Sequence, residues 1–266
     1  SVSKVLAHAE QQLGYALFDR VKGKLIPTPE ADQLYSHVLK VNDSVDRLRH
    51  VAENLRSAEA GTIRIAATPA VGIDLLPVAI ASYLELHQDT VFVVETLHHE
   101  EIANGLLESR LDVGLAFDPD DIPGVSGELL GHGSFVVLTP PGVEFGTKTE
   151  IELGDLSGHP IIRLDDRGPL GRLLSAHIES SNSRVKSVVY AETYQVAKAL
   201  VSHGAGVTIS DEITANSSGH DTVRVWPLAP GLKFRIVALH LEKAPMSIVC
   251  RQFVDHLGDC VRAFLE

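Results

Sequence analysis

Residues 62–77, TIRIAATPAVGIDLLP, decide the reading of this chain. A short β-branched run ends at Thr68-Pro69 and passes straight into aliphatic residues at helical spacing. The pattern returns downstream: a helix expected over 70–87, VFVVE (91–95), a helix over 99–110, then DVGLAF (112–117). Strands alternating with helices of this length indicate βαβ units and a parallel sheet. A second series follows, FVVLT (135–139), PIIRL (160–164), a helix over 169–181, VKSVVY (185–190), a helix over 194–203 and VTIS (207–210). FRIVALHL (234–241) is a further strand, and Ile248, Val249, Phe253, Leu257, Val261 and Phe264 mark a closing helix over 246–265. If the last helix shares a sheet with the early strands, the chain crosses twice between two α/β lobes. The expected result is a hinged clamshell, with lobe I at about 61–139 and 241–266 and lobe II at 140–240.

Upstream lies a different kind of sequence. Leu34, Val38, Val41, Val45, Leu48, Ala52 and Leu55 alternate at spacings of four and three, an a/d seam without Pro or Gly from 31 to 60. A helix so polar elsewhere is stable when that seam is buried, which favours pairing between chains over packing on its own body. Before it, residues 3–13 read as a short helix with Val5, Leu6, Ala9 and Leu13 on one side. Gly14 is suited to end that helix, and Gly23 between Lys22 and Lys24 to form a hairpin tip. Thr28 and Pro29 suit the N-cap and first position of the long helix.

The composition is that of a soluble α/β protein: 44% hydrophobic, 22% charged and 5% aromatic over 266 residues. No apolar run reaches the roughly 18 residues of a membrane span. SVSKVLAHAE (1–10) lacks both a secretory pattern and an initiator Met, and two cysteines make no disulfide framework, so a cytoplasmic location is expected. The formal charge of −12 is unevenly spread. Residues 1–58 carry eight Lys/Arg against seven Asp/Glu, whereas the remainder carries 15 against 28. An acidic body repels a polyanion, so any nucleic-acid contact is confined to the N-terminal end.

Residues for catalysis are scarce. GxSxG, HExxH, GxxxxGK[ST] and CxxC are all absent. His98-His99-Glu100-Glu101 is the one His cluster, but neighbours at i and i+1 point apart on a helix, so it reads as a solvated helix start rather than a metal site. Cys250 and Cys260 read as small core residues. Neither a cofactor nor a metal is expected, and the chain does not read as an enzyme. Binding is better supported, because ligands of open α/β sheets sit beyond the carboxyl ends of strands. That rule selects Thr68, Pro69, Phe117, Arg163 and Glu192-Thr193-Tyr194, with Gly204-Ala205-Gly206 as a turn letting the backbone approach the cleft. Each has a plain structural alternative: a cap, a core ring or half of an ion pair. Asp118, Asp165 and Asp166 lie close enough in sequence to face a cationic ligand.

SVSKVLAHAEQQLGYALFDRVKGKLIPTPEA (1–31) resembles the second half of the winged helix-turn-helix of LysR-type transcriptional regulators. The resemblance lies in Ser3-Lys4, Leu13-Gly14, Leu17-Phe18-Asp19-Arg20, the basic wing and Thr28. It continues through 62–77, LLESRLDVGLAF (106–117), HPIIRL (159–164) and GAGVTIS (204–210). It implies a partial DNA-binding domain (1–30), a dimerising linker helix (31–60), and an effector domain (61–266) of two Rossmann-like lobes, as in periplasmic binding proteins. About 30 residues completing the head would precede Ser1. Ser1, Ser3 and Lys4 would face the major groove of promoter DNA, and Arg20, Lys22 and Lys24 would hold phosphates. Thr68, Pro69 and Ala70 would form the effector-contacting turn, with Phe117, Arg163, Thr193 and Gly206 as other cleft positions. Ala70 departs from the family, which usually has a hydroxyl there. VKGKLIPTP (21–29) and LAFDPDDIPGV (115–125) are similar to the branch that senses opines and basic amino acids. Homodimers through the linker, assembling further into tetramers, are also implied. A solute-binding protein with the same clamshell is the alternative, though it would need export and has no use for residues 1–58.

Overall fold

The computed structural model describes residues 2–56, 61–166, 168–180, 186–217 and 222–265. The chain divides into two compact units, 1–53 and 54–266.

The first unit begins with helix α1 (Val2–Leu13), which ends at Gly14 in the left-handed region, φ +80°, where its N–H donates to the Glu10 carbonyl. Strands β1 (Phe18–Val21) and β2 (Lys24–Pro27) pair antiparallel as a hairpin. Its tip is Lys22-Gly23, both at positive φ, the conformation that suits the twist of a two-residue turn. Thr28 is buried at the start of helix α2 (Pro29–Arg56): its Oγ1 accepts from the Ala31 N–H and donates to the Ala16 carbonyl. The described part of the α2 seam is largely open within the first unit. Val41 is 65% exposed and Leu48 70%, with Val38 and Val45 also exposed.

The second unit contains β3 (Thr62–Ala67), α3 (Pro69–Gly72), α4 (Leu75–Leu86), β4 (Val91–Thr96), α5 (His99–Leu107), β5 (Val113–Phe117) and β6 (Val125–Thr139). After these come β7 (Ile151–Glu152), β8 (Pro160–Leu164), α6 (Pro169–Ser180), β9 (Lys186–Ala191) and α7 (Tyr194–Ser202). The chain ends with β10 (Val207–Asp211), α8 (Glu212–Asn216), β11 (Arg224–Ala229), β12 (Lys233–Leu241) and α9 (Ile248–Leu265). Strand order runs β4-β3-β5-β12-β6-β10-β8-β9, with β11 also on β6. The two βαβ series give parallel pairs β4-β3-β5 in lobe I and β10-β8-β9 in lobe II. Helix α9 returns to lobe I, where Phe253 meets Tyr83 edge-on at 5.2 Å, with Phe92 beside them.

Several boundaries differ from the sequence reading. The expected helix over 70–87 is two helices, because Pro77 has no N–H to bond the Ile73 carbonyl across the junction. Strand β6 starts ten residues before FVVLT. Its first half hides its pattern in glycines, since Cβ atoms at Gly127, Gly131 and Gly133 would strike Val237, Val261 and Phe234. One half of β6 pairs with β12 and the other with β10, so the chain changes lobe inside this strand, near Ser134, rather than after Thr139. β12 pairs with β5 and so belongs to lobe I from Lys233, not from 241. β11 escaped notice because Pro227 interrupts it, as edge strands allow.

Candidate functional site

Five strands end around one cavity. β3 delivers Thr68, β4 delivers His98, and β5 ends at Phe117; from the other lobe β8 delivers Leu164 and Asp165, and β9 delivers Glu192 and Thr193. The first turns of α5, α6 and α7 complete the wall, enclosing about 430 Å³. This is the carboxyl-end crevice expected of open α/β sheets. Gly171 is required here: a Cβ would lie 2.2 Å from the Asp165 carbonyl oxygen, so only glycine lets α6 press onto the loop after β8.

Contacts cross the cavity between the lobes. Gln195 Nε2 donates to the Pro69 carbonyl at 3.1 Å. Arg172 pairs with Asp120 at 2.5 Å, and His98 Nε2 lies 3.4 Å from Glu192 Oε1. The polar wall is nonetheless incompletely satisfied. Thr68 Oγ1, His99 Nδ1, Tyr194 OH and Gln195 Oε1 are buried without a hydrogen-bond partner among the described residues. Buried polar atoms are normally paired, and these four belong to residues that line the one cavity. Burial lowers the His99 pKa, opposed by Asp120 and Glu100 and reinforced by Arg172. Burial raises the Tyr194 phenol well above its usual range, with Asp211 adding to the effect.

The candidate effector residues divide. Thr68, Pro69, Ala70, Phe117 and Thr193 line the cavity together. Thr68 stands before α3 but makes no side-chain cap bond, whereas Thr193 caps α7 through Val196 N. Arg163 is not in the wall. Its guanidinium donates to Ser175 Oγ at 2.7 Å, and that hydroxyl in turn donates to Asp166. Gly206 is at the opposite end of its strand, where a Cβ would meet the Pro160 carbonyl oxygen at 2.2 Å; it allows close packing of β10 on β8 and does not approach the cleft. Asp165 lines the cavity, while Asp118 holds Arg235 at 2.8 Å. The sequence reading missed His99, Asp120, Arg172 and Gln195. The strand-end rule applied to VFVVE would have flagged 98–101, which instead were read as a solvated helix start; His99 is buried. No metal-ligand cluster occurs among the described residues.

In the first unit Ser3 and Lys4 are exposed on α1, Arg20 and Lys24 on the hairpin strands, and Lys22 at its tip. Ser1 lies outside the described residues.

Residues 56–261 match the LysR substrate binding domain. The chain is 38% identical to the HTH-type transcriptional regulator DgcR of Pseudoalteromonas sp over 98% of its own length and 90% of that protein's. This chain belongs to the LysR family of transcriptional regulators. Its fold follows that of the family's solved structures. Full-length CbnR complexed with its target DNA superposes with a TM-score of 0.74 at 15% identity, covering 97% of this chain and 89% of that one. The effector binding domain of QuiR in complex with shikimate gives 0.66 at 20% identity, covering 77% and 98%. The LysR-type chain described here therefore carries an effector-binding domain of two α/β lobes, and among its described residues no helix is long and apolar enough to cross a membrane.

Proposed function

We propose that this regulator senses a small molecule held in the cavity between its lobes, through Thr68, Pro69, Ala70, Phe117 and Thr193, and transmits its presence to promoter DNA without chemical turnover. The observation that carries this reading is the set of four unpartnered buried polar atoms on the walls of a single 430 Å³ cavity. A ligand that favours one lobe arrangement shifts the equilibrium only by its difference in affinity for the two. Ser1, Ser3 and Lys4 are assigned to base reading and Arg20, Lys22 and Lys24 to phosphates, with the exposed α2 seam pairing two chains, and dimers joining into tetramers. In this reading residues 1–30 belong to the DNA-reading head, 31–60 to the linker and 61–266 to the sensor.

The test is titration of the protein onto its promoter with and without a compound that raises its melting temperature. Binding should fall steeply with salt, as phosphate contacts release counterions, and the footprint should change with the compound. A salt-insensitive, compound-insensitive footprint overturns the reading. Turnover of the compound by the protein would revive an enzymatic role.

A further inference from the structure

We propose that Glu212 is a positioning residue that holds the pivot between the two lobes, and that helix α8 carries the orientation set there to the turn at Thr68 and Pro69. The proposal rests on the cavity between the lobes being the sensor, and adds the element that fixes how the lobes stand to each other.

Two stretches of chain cross between the lobes side by side. β6 crosses at Ser134, opposite Lys233 where β12 starts, and the next residue, Phe135, donates its N–H to the Leu232 carbonyl at 2.9 Å. Successive N–H groups of a strand point to opposite sides, so the Ser134 N–H is directed away from β12 and towards β10. β10 offers it no carbonyl, because that strand ends at Asp211, opposite Phe135, and turns into α8. The Glu212 side chain supplies the missing acceptor: its Oε1 takes the Ser134 N–H at 2.7 Å. Burial raises the Glu212 pKa, opposed by that bond and by Lys233 on the other crossing strand. A hinge is a few residues that absorb a change of φ and ψ, and a carboxylate bonded to the backbone of Ser134 ties one of them to lobe II.

α8 also meets the cavity wall. Gln195 Nε2, which donates to the Pro69 carbonyl, lies 3.4 Å from Thr214 Oγ1. The short helix α3 that follows Thr68 belongs to lobe I, yet it packs on α7 and α8 of lobe II, with Ala70 and Val71 buried. A single turn of helix thus touches the pivot through Glu212 and the Thr68-Pro69 turn through Thr214 and Gln195. Releasing Ser134 frees lobe I to swing and lifts α3 off α8.

Hydrogen exchange of the full chain, read by mass spectrometry, tests this without a ligand. Lifting α3 exposes the N–H groups of Val71 and Gly72, which donate to the Thr68 carbonyl. Glu212→Ala should speed exchange of peptides covering 70–74 about tenfold or more, while peptides from β3 and β5 keep the native rate. Glu212→Gln retains an acceptor for the Ser134 N–H and should restore most of the protection. Gly206→Ala strains lobe II at the other end of β10 and is the control for general loosening. Native exchange at 70–74 in Glu212→Ala overturns the proposal, as does a Glu212→Gln chain that exchanges as fast as Glu212→Ala. An equal gain from Gly206→Ala, or a gain spread over β3 and β5, also overturns it. These outcomes leave the cavity as the sensor untouched, because the promoter titration decides that reading separately.

Discussion

Gln195 Nε2 donates to the Pro69 carbonyl across the mouth between the lobes, 3.1 Å from the first turn of α7 to the start of α3. One side-chain amide thus joins the two turns that the strand-end rule singles out for ligand contact, while its Oε1 has no partner among the described residues. Gln195→Ala strips the Pro69 carbonyl of its donor and should cost about 1 kcal/mol, the net worth of a typical hydrogen bond. Urea denaturation should show a lower midpoint at unchanged slope. An unchanged midpoint would mean the bond contributes nothing to holding the lobes together.

Thr68 invites a sharper prediction than an N-cap does. Its hydroxyl makes no cap bond and is buried without a partner among the described residues. Thr68→Val should therefore leave stability unchanged or slightly higher, within about 1 kcal/mol, because an unsatisfied polar atom is replaced by a methyl group. Effector binding should be lost. A loss of stability larger than this with normal effector binding would return Thr68 to a purely structural role.

How much of this was legible beforehand depends on which physical signal each residue carries. The alternation of TIRIAA, VFVVE and DVGLAF with helices made lobe I readable, and PIIRL, VKSVVY and VTIS did the same for lobe II. Burial on both faces writes the inner strands β5 and β10 as apolar runs, while the edge strand β4 leaves Val91, Val93 and Val94 exposed. Thr68, Pro69, Phe117 and Thr193 followed from strand ends, and Ala70 from the resemblance to the family. The early half of β6 was hidden because its glycines make room for bulk on other elements. Arg163 and Gly206 were misplaced for another reason: sequence gives a position along a strand but neither a side chain's partner nor which end faces the cleft. Arg163 is spent on Ser175, and Gly206 lies where β10 begins. Asp120, Arg172 and Gln195 sit in loops or first turns whose approach only the tertiary fold determines.

Gly206→Ala separates packing from binding. Its φ of +155° and the 2.2 Å approach of the Pro160 carbonyl oxygen leave no room for a methyl group. The substitution should cost on the order of 2–3 kcal/mol through forced backbone shifts, read as a lower melting temperature. Effector affinity measured well below that temperature should be unchanged. A selective loss of affinity would bring Gly206 back to the cleft.

Lys198 is 3% exposed, and its Nζ donates to the carbonyls of Thr214, Ala215 and Ser217 at 3.1, 3.1 and 2.8 Å. It closes the C-terminal end of α8, where helix carbonyls lack intrahelical donors. Lys198→Met preserves most of the volume and should cost about 2–4 kcal/mol, because buried carbonyls lose a charged donor. Urea unfolding decides the matter, and a cost below about 1 kcal/mol would show that water replaces the ammonium without penalty.

Asp211 ends β10 fully buried. Its Oδ1 accepts the Thr214 N–H at 2.7 Å, and its Oδ2 has no partner among the described residues. Burial pushes the carboxyl up to about 6 from an ordinary 3.8, against the opposing bonds from Thr214. The folded state then keeps a proton that the unfolded chain has released, so this group's contribution to stability falls as pH rises through that window. The full shift corresponds to about 3 kcal/mol, of which on the order of 1–1.5 kcal/mol lies between about pH 5 and about pH 8. Asp211→Asn keeps an acceptor for Thr214 and never ionises. The variant should gain on the native chain by that amount as the buffer moves from the lower to the higher pH, measured by urea unfolding at each. A stability difference, variant minus native, that stays constant or falls with rising pH would mean that Asp211 is ionised throughout and that a donor reaches Oδ2 in solution.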